Sequence, residues 1–189
     1  SRATSLALGG VVWIAIGATA FFLVHTEKQI AGLREAVRAF DLHAREAAGA
    51  LTDLRVGQQA YVAEGQGVAF WMPKVAATGD VISQAVQALR RSAKDAAARS
   101  SLDEAADSIV EFGNVDKRAR DYIRSDQHLM AGDIIFTEGG ETAATAARQV
   151  EAARLAERQA LDASEAAVRK QQVMALGATG AFAALVVLW

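Results

Sequence analysis

Cysteine is absent from the 189-residue sequence, and proline occurs once, at Pro73. Without cysteine the chain can form neither a disulfide framework nor a thiolate metal site, and its redox compartment stays open. Aromatic residues make up only 6% of the chain although hydrophobic residues make up 52%, because alanine, the best helix former, supplies much of the apolar total. A net charge of −2 gives no argument for nucleic-acid binding. This composition predicts an all-helical protein with closely packed helices.

Charge is missing altogether from two stretches, residues 5–24 and residues 173–189. As a helix the first would span roughly 30 Å, the thickness of a bilayer core. We interpret both as transmembrane helices, the second ending where the sequence ends. The alternatives are a buried core helix for either stretch and a signal peptide for the first, which lacks a small-residue cleavage site followed by a break. The basic residues near the two stretches do not decide the orientation.

The region between these stretches has a helical hydrophobic pattern with steps of three and four residues. In the first helix it runs without a slip through Ile30, Leu33, Val37, Phe40, Ala44, Ala47, Leu51, Leu54, Gln58 and Tyr61. We expect that helix to end near Glu64, and a second to start near residues 70–73 and end at residues 98–100. A third helix would begin with a capping box formed by Ser101 and Glu104. It would end near Phe136, before a turn at residues 138–140, and a fourth would continue into the second apolar stretch.

Two similar stretches, AYVAEGQGVAFW at residues 60–71 and DIIFTEGGETAAT at residues 133–145, both fall where turns are expected. The sequence therefore predicts an up-down-up-down four-helix bundle whose first and fourth helices continue the two transmembrane helices. The domains would be residues 1–25 (N-terminal flank and first span), 26–172 (bundle) and 173–189 (second span). Both similar stretches would then lie together at the membrane-distal tip.

This layout resembles the extracellular sensing domains of bacterial receptors, namely the four-helix-bundle domains of chemoreceptors and the CHASE-type domains of sensor kinases and diguanylate cyclases. Residues 55–64, RVGQQAYVAE, followed by GQG, are similar to the R-G-Y-L-x-T-G-D region of CHASE-type domains. The pattern differs in that Gln58, Gln59 and Ala60 precede Tyr61, and Gln66 replaces the acid. The resemblance implies a dimeric receptor whose ligand or partner shifts helices across the membrane, with an output domain after Trp189.

The expected tip collects polar and aromatic residues that could bind a small polar ligand or a periplasmic protein. They are Gln58, Gln59, Tyr61, Glu64, Gln66, Phe70, Trp71 and Lys74 from one stretch, and Asp133, Phe136, Glu138 and Glu141 from the other. The alternative is structural: the aromatics would plug the end of the bundle, and Glu138 and Glu141 would favour the N-terminus of the fourth helix through its dipole.

Polar residues also interrupt the hydrophobic seams. Gln58 occupies a core position of the first helix, where a buried amide needs hydrogen bonds, and could fix helix register or face a cavity. Asp116 interrupts the third helix unless Val115 takes the inward place. The basic runs at residues 90–91 and 117–120 are interpreted as solvated helix faces.

Neither a metal site nor a catalytic set is expected. His25, His43 and His128 lack an i, i+4 relation to one another, and no Glu-x-x-His pattern accompanies them. No Ser-His-Asp combination or phosphate-binding loop is present, so we expect no cofactor and no enzyme activity within this sequence.

The functional hypothesis is an input module of a transmembrane receptor in the bacterial inner membrane, with the middle domain periplasmic or extracellular. The expected partners are the membrane, a second copy of the chain, and a small ligand or periplasmic protein at the tip. The cytoplasmic output would be a histidine kinase, a chemoreceptor domain or a diguanylate cyclase. The alternative hypothesis is a membrane-anchored helical spacer or scaffold that binds a periplasmic protein and no small molecule.

Overall fold

The structure, a computed structural model, describes residues 2–65 and 67–188, with side chains from residue 9 to residue 186 apart from residue 66. The described chain is helical and contains no strand, as the composition predicts. The helices are α1 (Arg2–Gln59), α2 (Val68–Ser92), α3 (Ala96–Arg124), α4 (His128–Ile134) and α5 (Gly140–Leu188), with a π-helical segment, Ile135–Gly139, between α4 and α5. The chain divides into two compact units, one of Ser1–Val37 with Gln159–Trp189 and one of Arg38–Arg158.

The seam expected for the first helix is buried from Phe40 onward. The core of the Arg38–Arg158 unit contains the seam residues Phe40, Ala44, Ala47, Leu51 and Leu54, and Gln58 and Tyr61 are buried beside them. Leu33, by contrast, is 42% exposed. The helix itself ends at Gln59, five residues before the expected end, and Gly65 in the following turn has a φ of 76°, which favours glycine.

The connection between α2 and α3 differs from the sequence prediction. It consists of residues 93–95, not residues 98–100, and the residue that caps α3 is Asp95, whose carboxylate accepts a hydrogen bond from the Ala98 amide at 3.0 Å. The predicted capping box is wrong, because Ser101 and Glu104 both lie inside α3. The N-cap oxygen comes instead from Asp95, about one and a half helical turns before Ser101. The buried hydrophobic face of α3 already begins there, at Ala98.

The expected turn at residues 138–140 is also wrong. Glu138 and Gly139 belong to the π-helical segment and Gly140 begins α5, so the backbone stays helical from His128 to Leu188. The break lies earlier, between Arg124 and His128, where Asp126 adopts a left-handed φ of 59°. Aspartate tolerates this conformation better than most residues, so a turn forms there without glycine or proline.

The core of the Arg38–Arg158 unit is built from leucine, isoleucine, valine and many alanines contributed by every helix that enters it. Ala98, Ala105, Ala119, Ala146 and Ala153 are all essentially inaccessible. Small side chains at these positions allow the helix backbones to approach closely, which leaves little room for a larger residue.

The other unit contains the first part of α1 and the last part of α5, joined by polar contacts. Thr19 and Thr179 share a hydrogen bond of 2.8 Å, and the Gln172 amide donates to the Thr26 hydroxyl at 2.9 Å. Arg34 holds Glu165 through two hydrogen bonds of 2.6 and 2.7 Å. As the residue number rises along α1, the number of the partner residue on α5 falls, so these two segments run antiparallel.

One helix among the searched residues, in the segment Gly9–Gln59, is long and apolar enough to cross a membrane. Only 6% of its most apolar window is buried within the protein, which does not fit a soluble core helix. Trp13, Ile14 and Phe21 are each more than 70% exposed. Residues 173–188 of the second expected span are helical within α5, but within the described chain α5 does not meet the same criterion of length and apolarity.

Candidate functional site

A polar cluster lies where the end of α1 and the turn after it pack against α3; we call it the Asp116 cluster, formed by the buried Gln58, Tyr61 and Asp116 and the partly exposed Arg120. Asp116 is 2% exposed, and one of its carboxylate oxygens accepts hydrogen bonds from the Gln58 amide at 3.1 Å and the Tyr61 hydroxyl at 3.0 Å. Its other oxygen pairs with the Arg120 guanidinium, one helical turn further along α3. At this point connected hydrogen bonds replace the apolar contacts between the helices, and they give both oxygens of the Asp116 carboxylate a partner.

The cluster strongly favours the neutral form of the tyrosine. Burial raises the pKa of Tyr61 far above its usual range, and the negative charge of Asp116 and its hydrogen bond with the hydroxyl act in the same direction. The Arg120 charge opposes this rise but does not outweigh it. Tyr61 therefore acts as a hydrogen-bond donor to Asp116 at every physiological pH.

Two atoms of the Asp116 cluster have no hydrogen-bond partner within the described part of the chain: Gln58 Oε1 and Arg120 Nε. A buried acceptor without a donor costs about 1–3 kcal/mol. Native proteins seldom keep such atoms without a reason. The cluster therefore holds one unused acceptor, on Gln58, and one unused donor, on Arg120.

Gly139 faces the unpartnered oxygen directly. A methyl group added at Gly139 would overlap Gln58 Oε1 and come within 3.2 Å of the amide carbon. Gly139 ends the π-helical segment, a rare helical form that often marks functional positions. The glycine of the second similar stretch is therefore needed for a close approach to α1 rather than for a turn.

A groove of about 270 Å³ opens between α2 and α3 beside the Asp116 cluster. Asp116 and Arg120 line it, together with Asp80 and the two glycines Gly79 and Gly113. Neither glycine has another atom within 4 Å of the position that a Cβ would take, so the groove is open at both. It gives solvent or a small polar molecule access to the Arg120 side of the cluster.

The structure places the residues of the expected tip in three different settings. Gln58 and Tyr61 are buried in the Asp116 cluster. Trp71 and Lys74 form a surface group, in which the Lys74 ammonium lies 4.6 Å from the centre of the Trp71 ring. The remaining described residues of the expected site lie at or near the surface: Gln59, Glu64, Asp133, Glu138 and Glu141. Gln66 lies outside the described residues.

Two surface acids of the second stretch, Glu138 and Glu141, are paired with arginines. Glu138 accepts a hydrogen bond from Arg118 at 2.5 Å, and Glu141 accepts one from Arg148 at 2.8 Å. The hydrogen bond from Arg148 is the main reason why the pKa of Glu141 lies below its usual range. Phe136, expected to plug the bundle end in the structural alternative, is 59% exposed. Phe70 is 62% exposed and packs edge-on against Trp71.

Sequence analysis missed a second charged cluster, in which Asp41 of α1 is surrounded by three arginines. Asp41 is 8% exposed and contacts Arg154 at 2.7 Å, Arg158 at 2.9 Å and Arg45 at 2.5 Å. Burial alone raises the pKa of Asp41, but the hydrogen bond from Arg154 and the charges of the arginines outweigh it, and the pKa falls below its usual range. Spacing could not reveal this site, because two of the arginines lie more than a hundred residues away.

A buried carboxylate on α5 holds the connection between α2 and α3. Glu157 is 4% exposed and accepts hydrogen bonds from the backbone amides of Lys94 at 2.5 Å and Asp95 at 2.8 Å. These amides precede α3 and have no partner within that helix. Glu157 therefore ties the connection to α5.

Among the described side chains, no group of three histidine, aspartate or glutamate residues is arranged to hold a metal ion. Each histidine instead has a local polar neighbour: His25 contacts Gln29, His43 contacts Glu46, and His128 contacts Asp126.

Comparison with known proteins adds no relative: no protein-family model matches the chain, and neither the curated proteins nor the solved structures include a significant match.

Proposed function

We propose that this chain is the input module of a membrane-anchored bacterial signalling receptor, of the class that the chemoreceptor and CHASE-type sensing domains represent. The observation that carries the proposal is the extent of α1. The same helix contains the apolar candidate span near its N-terminus and the buried Gln58 near its C-terminus. A stiff helix between a membrane and a buried polar core is suited to transmitting small displacements.

We further propose that the Arg38–Arg158 unit is an up-down-up-down four-helix bundle. The order of its contacts supports this arrangement. Asp41 of α1 contacts Arg154 of α5, while Gln58 near the end of α1 contacts Gly139 just before α5. These contacts indicate that α1 and α5 run antiparallel in this unit. On α3, the capped start lies beside Glu157, and Arg118 meets Glu138. α2 would fill the fourth position, since Val75 contacts Gly57 of α1.

In this account the Asp116 cluster is the part of the bundle whose geometry responds to a signal. It links α1 to α3 and abuts the π-helical segment, and two of its buried atoms have no partner among the residues that the structure describes. A ligand or protein that binds one arrangement of these helices better than another would shift the population between them. The α2–α3 groove and the surface group at Trp71 and Lys74 are accessible approaches to this region.

Two measurements on the protein in its native membrane test the proposal. Reporter fusions in the connection near Lys94 should place the Arg38–Arg158 unit outside the cytoplasm. The coding sequence after Trp189 should encode the rest of the second membrane span, followed by a kinase, cyclase or chemoreceptor domain. A cytoplasmic location of residue 94, or a stop codon within a few residues, would contradict a receptor role.

The competing function is a membrane-anchored spacer or scaffold for a periplasmic protein. The exposed Phe70 and Leu129, at 62% and 91%, are the kind of surface anchors that such a partner would use. A spacer needs no change of helix position. Its behaviour would therefore not depend on substitutions within the Asp116 cluster that leave the chain folded.

A further inference from the structure

A long groove runs between α1 and α2 in the Arg38–Arg158 unit; we call it the α1–α2 groove. It has two adjoining parts of about 530 and 380 Å³ that share Ala50. On α2 the residues that line the larger part run from Val81 to Ser92, which is roughly 17 Å at 1.5 Å per residue. Most of its lining is alanine or a larger aliphatic side chain. A slot of this length and composition fits a hydrocarbon chain that lies along it.

The few polar groups of the larger part already have partners. His43 Nδ1 and Glu46 Oε2 pair with each other at 3.1 Å, and the Ser92 hydroxyl donates to the Leu89 carbonyl at 2.9 Å. Val81, by contrast, lines this part with 62% of its surface exposed. A hydrocarbon chain that covers such side chains is stabilised by the apolar area that it removes from water. The larger part therefore selects for chain length and apolarity.

The smaller part carries two opposite charges at different levels along the groove. Asp53 of α1 and Lys74 of α2 both line it, and within the described residues neither forms an ion pair. Gly57 of α1 lies against Val75 of α2, so Lys74 lies near the level of Gly57. Asp53 is four residues, or roughly 6 Å, closer to Ala50 and the larger part. Outward from the apolar part, the groove thus presents an acceptor first and a cation second.

A ligand that complements this order has an apolar chain, then a hydrogen-bond donor, then an anion. A fatty acyl chain joined through an amide to an amino acid carries these groups in that order. Its amide N–H would donate to Asp53, and its carboxylate would pair with Lys74, both charge-assisted contacts. The rings of Phe70 and Trp71 keep the Lys74 ammonium beside the groove, 5.6 and 4.6 Å from their centres. A free fatty acid lacks the donor, and a phospholipid headgroup places its anion inside its cation, the reverse of this order.

We propose that the α1–α2 groove binds a long-chain N-acyl amino acid, with its chain along Ala47, Ala85 and Leu89, its amide at Asp53 and its carboxylate at Lys74. The binding site is a property of the Arg38–Arg158 unit alone. Only its role as the input signal rests on the proposed receptor function.

The lack of native cysteine allows a single introduced thiol to report on the groove. Ala88→Cys, at an exposed position of α2 that lines the larger part, is the reporter variant. Ala77→Cys, also exposed on α2 but outside both parts, is the matched control. The full chain in phosphatidylcholine nanodiscs is labelled with a maleimide at increasing concentrations of N-dodecanoylglycine. At about ten times Kd, labelling of the reporter should slow about tenfold, because only the free protein reacts, while the control keeps its rate.

Matched amphiphiles test each contact of the headgroup. N-dodecanoylsarcosine has a methyl group in place of the amide hydrogen, and the methyl ester of N-dodecanoylglycine lacks the anion. Each should need a concentration roughly tenfold higher for half-protection, the value of one hydrogen bond to a charged group. Asp53→Ala should abolish the preference for the glycine compound over the sarcosine compound, and Lys74→Gln the preference for the acid over the ester. N-octanoylglycine should be weaker by at least about tenfold, because four fewer methylenes are buried.

Equal slowing at Ala88→Cys and Ala77→Cys would overturn the site, since an amphiphile that coats the protein protects both. Equal potency of the glycine and sarcosine compounds would overturn the assigned contact with Asp53. A reporter that resists maleimide before any ligand is added would show that a protein or a second copy covers the groove, which also contradicts the proposal. A protected reporter in a chain whose residue 94 is cytoplasmic would support the site and remove its receptor role, so the two proposals fail separately.

Discussion

Replacing Asp116 by alanine should unfold the protein far more readily than an ordinary surface change. The substitution removes the acceptor of three hydrogen bonds at once, from Gln58, Tyr61 and Arg120. Asp116 is 2% exposed, so water does not replace its contacts with Gln58 and Tyr61 without opening the core, while the Arg120 side chain, 26% exposed, gains water only in part. Removing one partner of a buried ion pair costs about 3–5 kcal/mol, since the other charge is left without compensation.

The loss can be divided between charge and hydrogen bonding. Asp116→Asn keeps an acceptor oxygen but removes the charge that pairs with Arg120, so it should cost less than Asp116→Ala. Tyr61→Phe removes one hydrogen bond to a charged group, which is worth about 1.5–3 kcal/mol. The expected order of destabilisation is therefore Asp116→Ala, then Asp116→Asn and Tyr61→Phe.

Thermal unfolding followed by circular dichroism at 222 nm measures these effects in the full chain. For a protein of this length each kcal/mol lowers Tm by roughly 2–4 °C, so Asp116→Ala should lower it by roughly 6–20 °C. The exposed Asp107 provides the matched control, and its alanine variant should stay within about 0.5 kcal/mol of the parent. A Tm for Asp116→Ala within 2 °C of the parent would refute the assigned burial and bonding of the cluster.

Three further predictions concern other contacts. Gly139→Ala should destabilise by about 1–3 kcal/mol through overlap with Gln58, and combining it with Gln58→Ala should recover most of that loss, as denaturant titration would show. Asp41→Asn should destabilise at neutral pH by about 1–3 kcal/mol. Because the pKa of Asp41 is lowered in the folded state, its stabilisation is present above the unfolded pKa and disappears as pH falls through the folded one, so parent and variant should converge in acid. Glu157→Ala should speed hydrogen exchange at the amides of Lys94 and Asp95, by roughly tenfold or more if a bond worth about 1.5 kcal/mol is lost.

Gly139→Ala has a control variant, and each of the three predictions has a result that would contradict it. Gly113→Ala meets no atom within 4 Å and should stabilise α3 by about 0.5–1 kcal/mol. A Gly139→Ala variant as stable as Gly113→Ala would contradict the close approach to Gln58. An Asp41→Asn difference that persists unchanged at low pH would contradict the lowered pKa. Unchanged exchange of the Lys94 amide in Glu157→Ala would mean that Glu157 does not hold the connection.

The spacing of hydrophobic residues was sufficient to predict the features that depend on the local sequence, above all the buried face of the first helix. The seam from Phe40 to Tyr61 is buried, and the one polar break in it, Gln58, belongs to the Asp116 cluster. Asp116 was also recognised, because it interrupts the apolar repeat of the third helix. Spacing could not pair them, since 58 residues of chain separate Gln58 from Asp116.

The ends of the helices were harder to predict, because residues that often end a helix, such as glycine, also occur inside helices. Gly139 and Gly140 look like a turn, yet they lie in continuous helix where α1 approaches too closely for a Cβ at Gly139. The real break uses Asp126, which carries no strong turn signal. A glycine pair can mark either a chain reversal or a close contact, and only the position of the neighbouring helix distinguishes them.

The central claim is that the helices of the Asp116 cluster carry a signal through the membrane. The most direct test joins the chain to the cytoplasmic part of a characterised histidine kinase and measures autophosphorylation in membrane vesicles. Tyr61→Phe, checked by circular dichroism to be folded, is compared with Asp107→Ala at an exposed position of α3 outside the α2–α3 groove. The account predicts that Tyr61→Phe shifts the basal autophosphorylation rate by at least about threefold while the control leaves it unchanged. Equal rates in the parent and both variants would contradict signal transmission and favour a structural spacer.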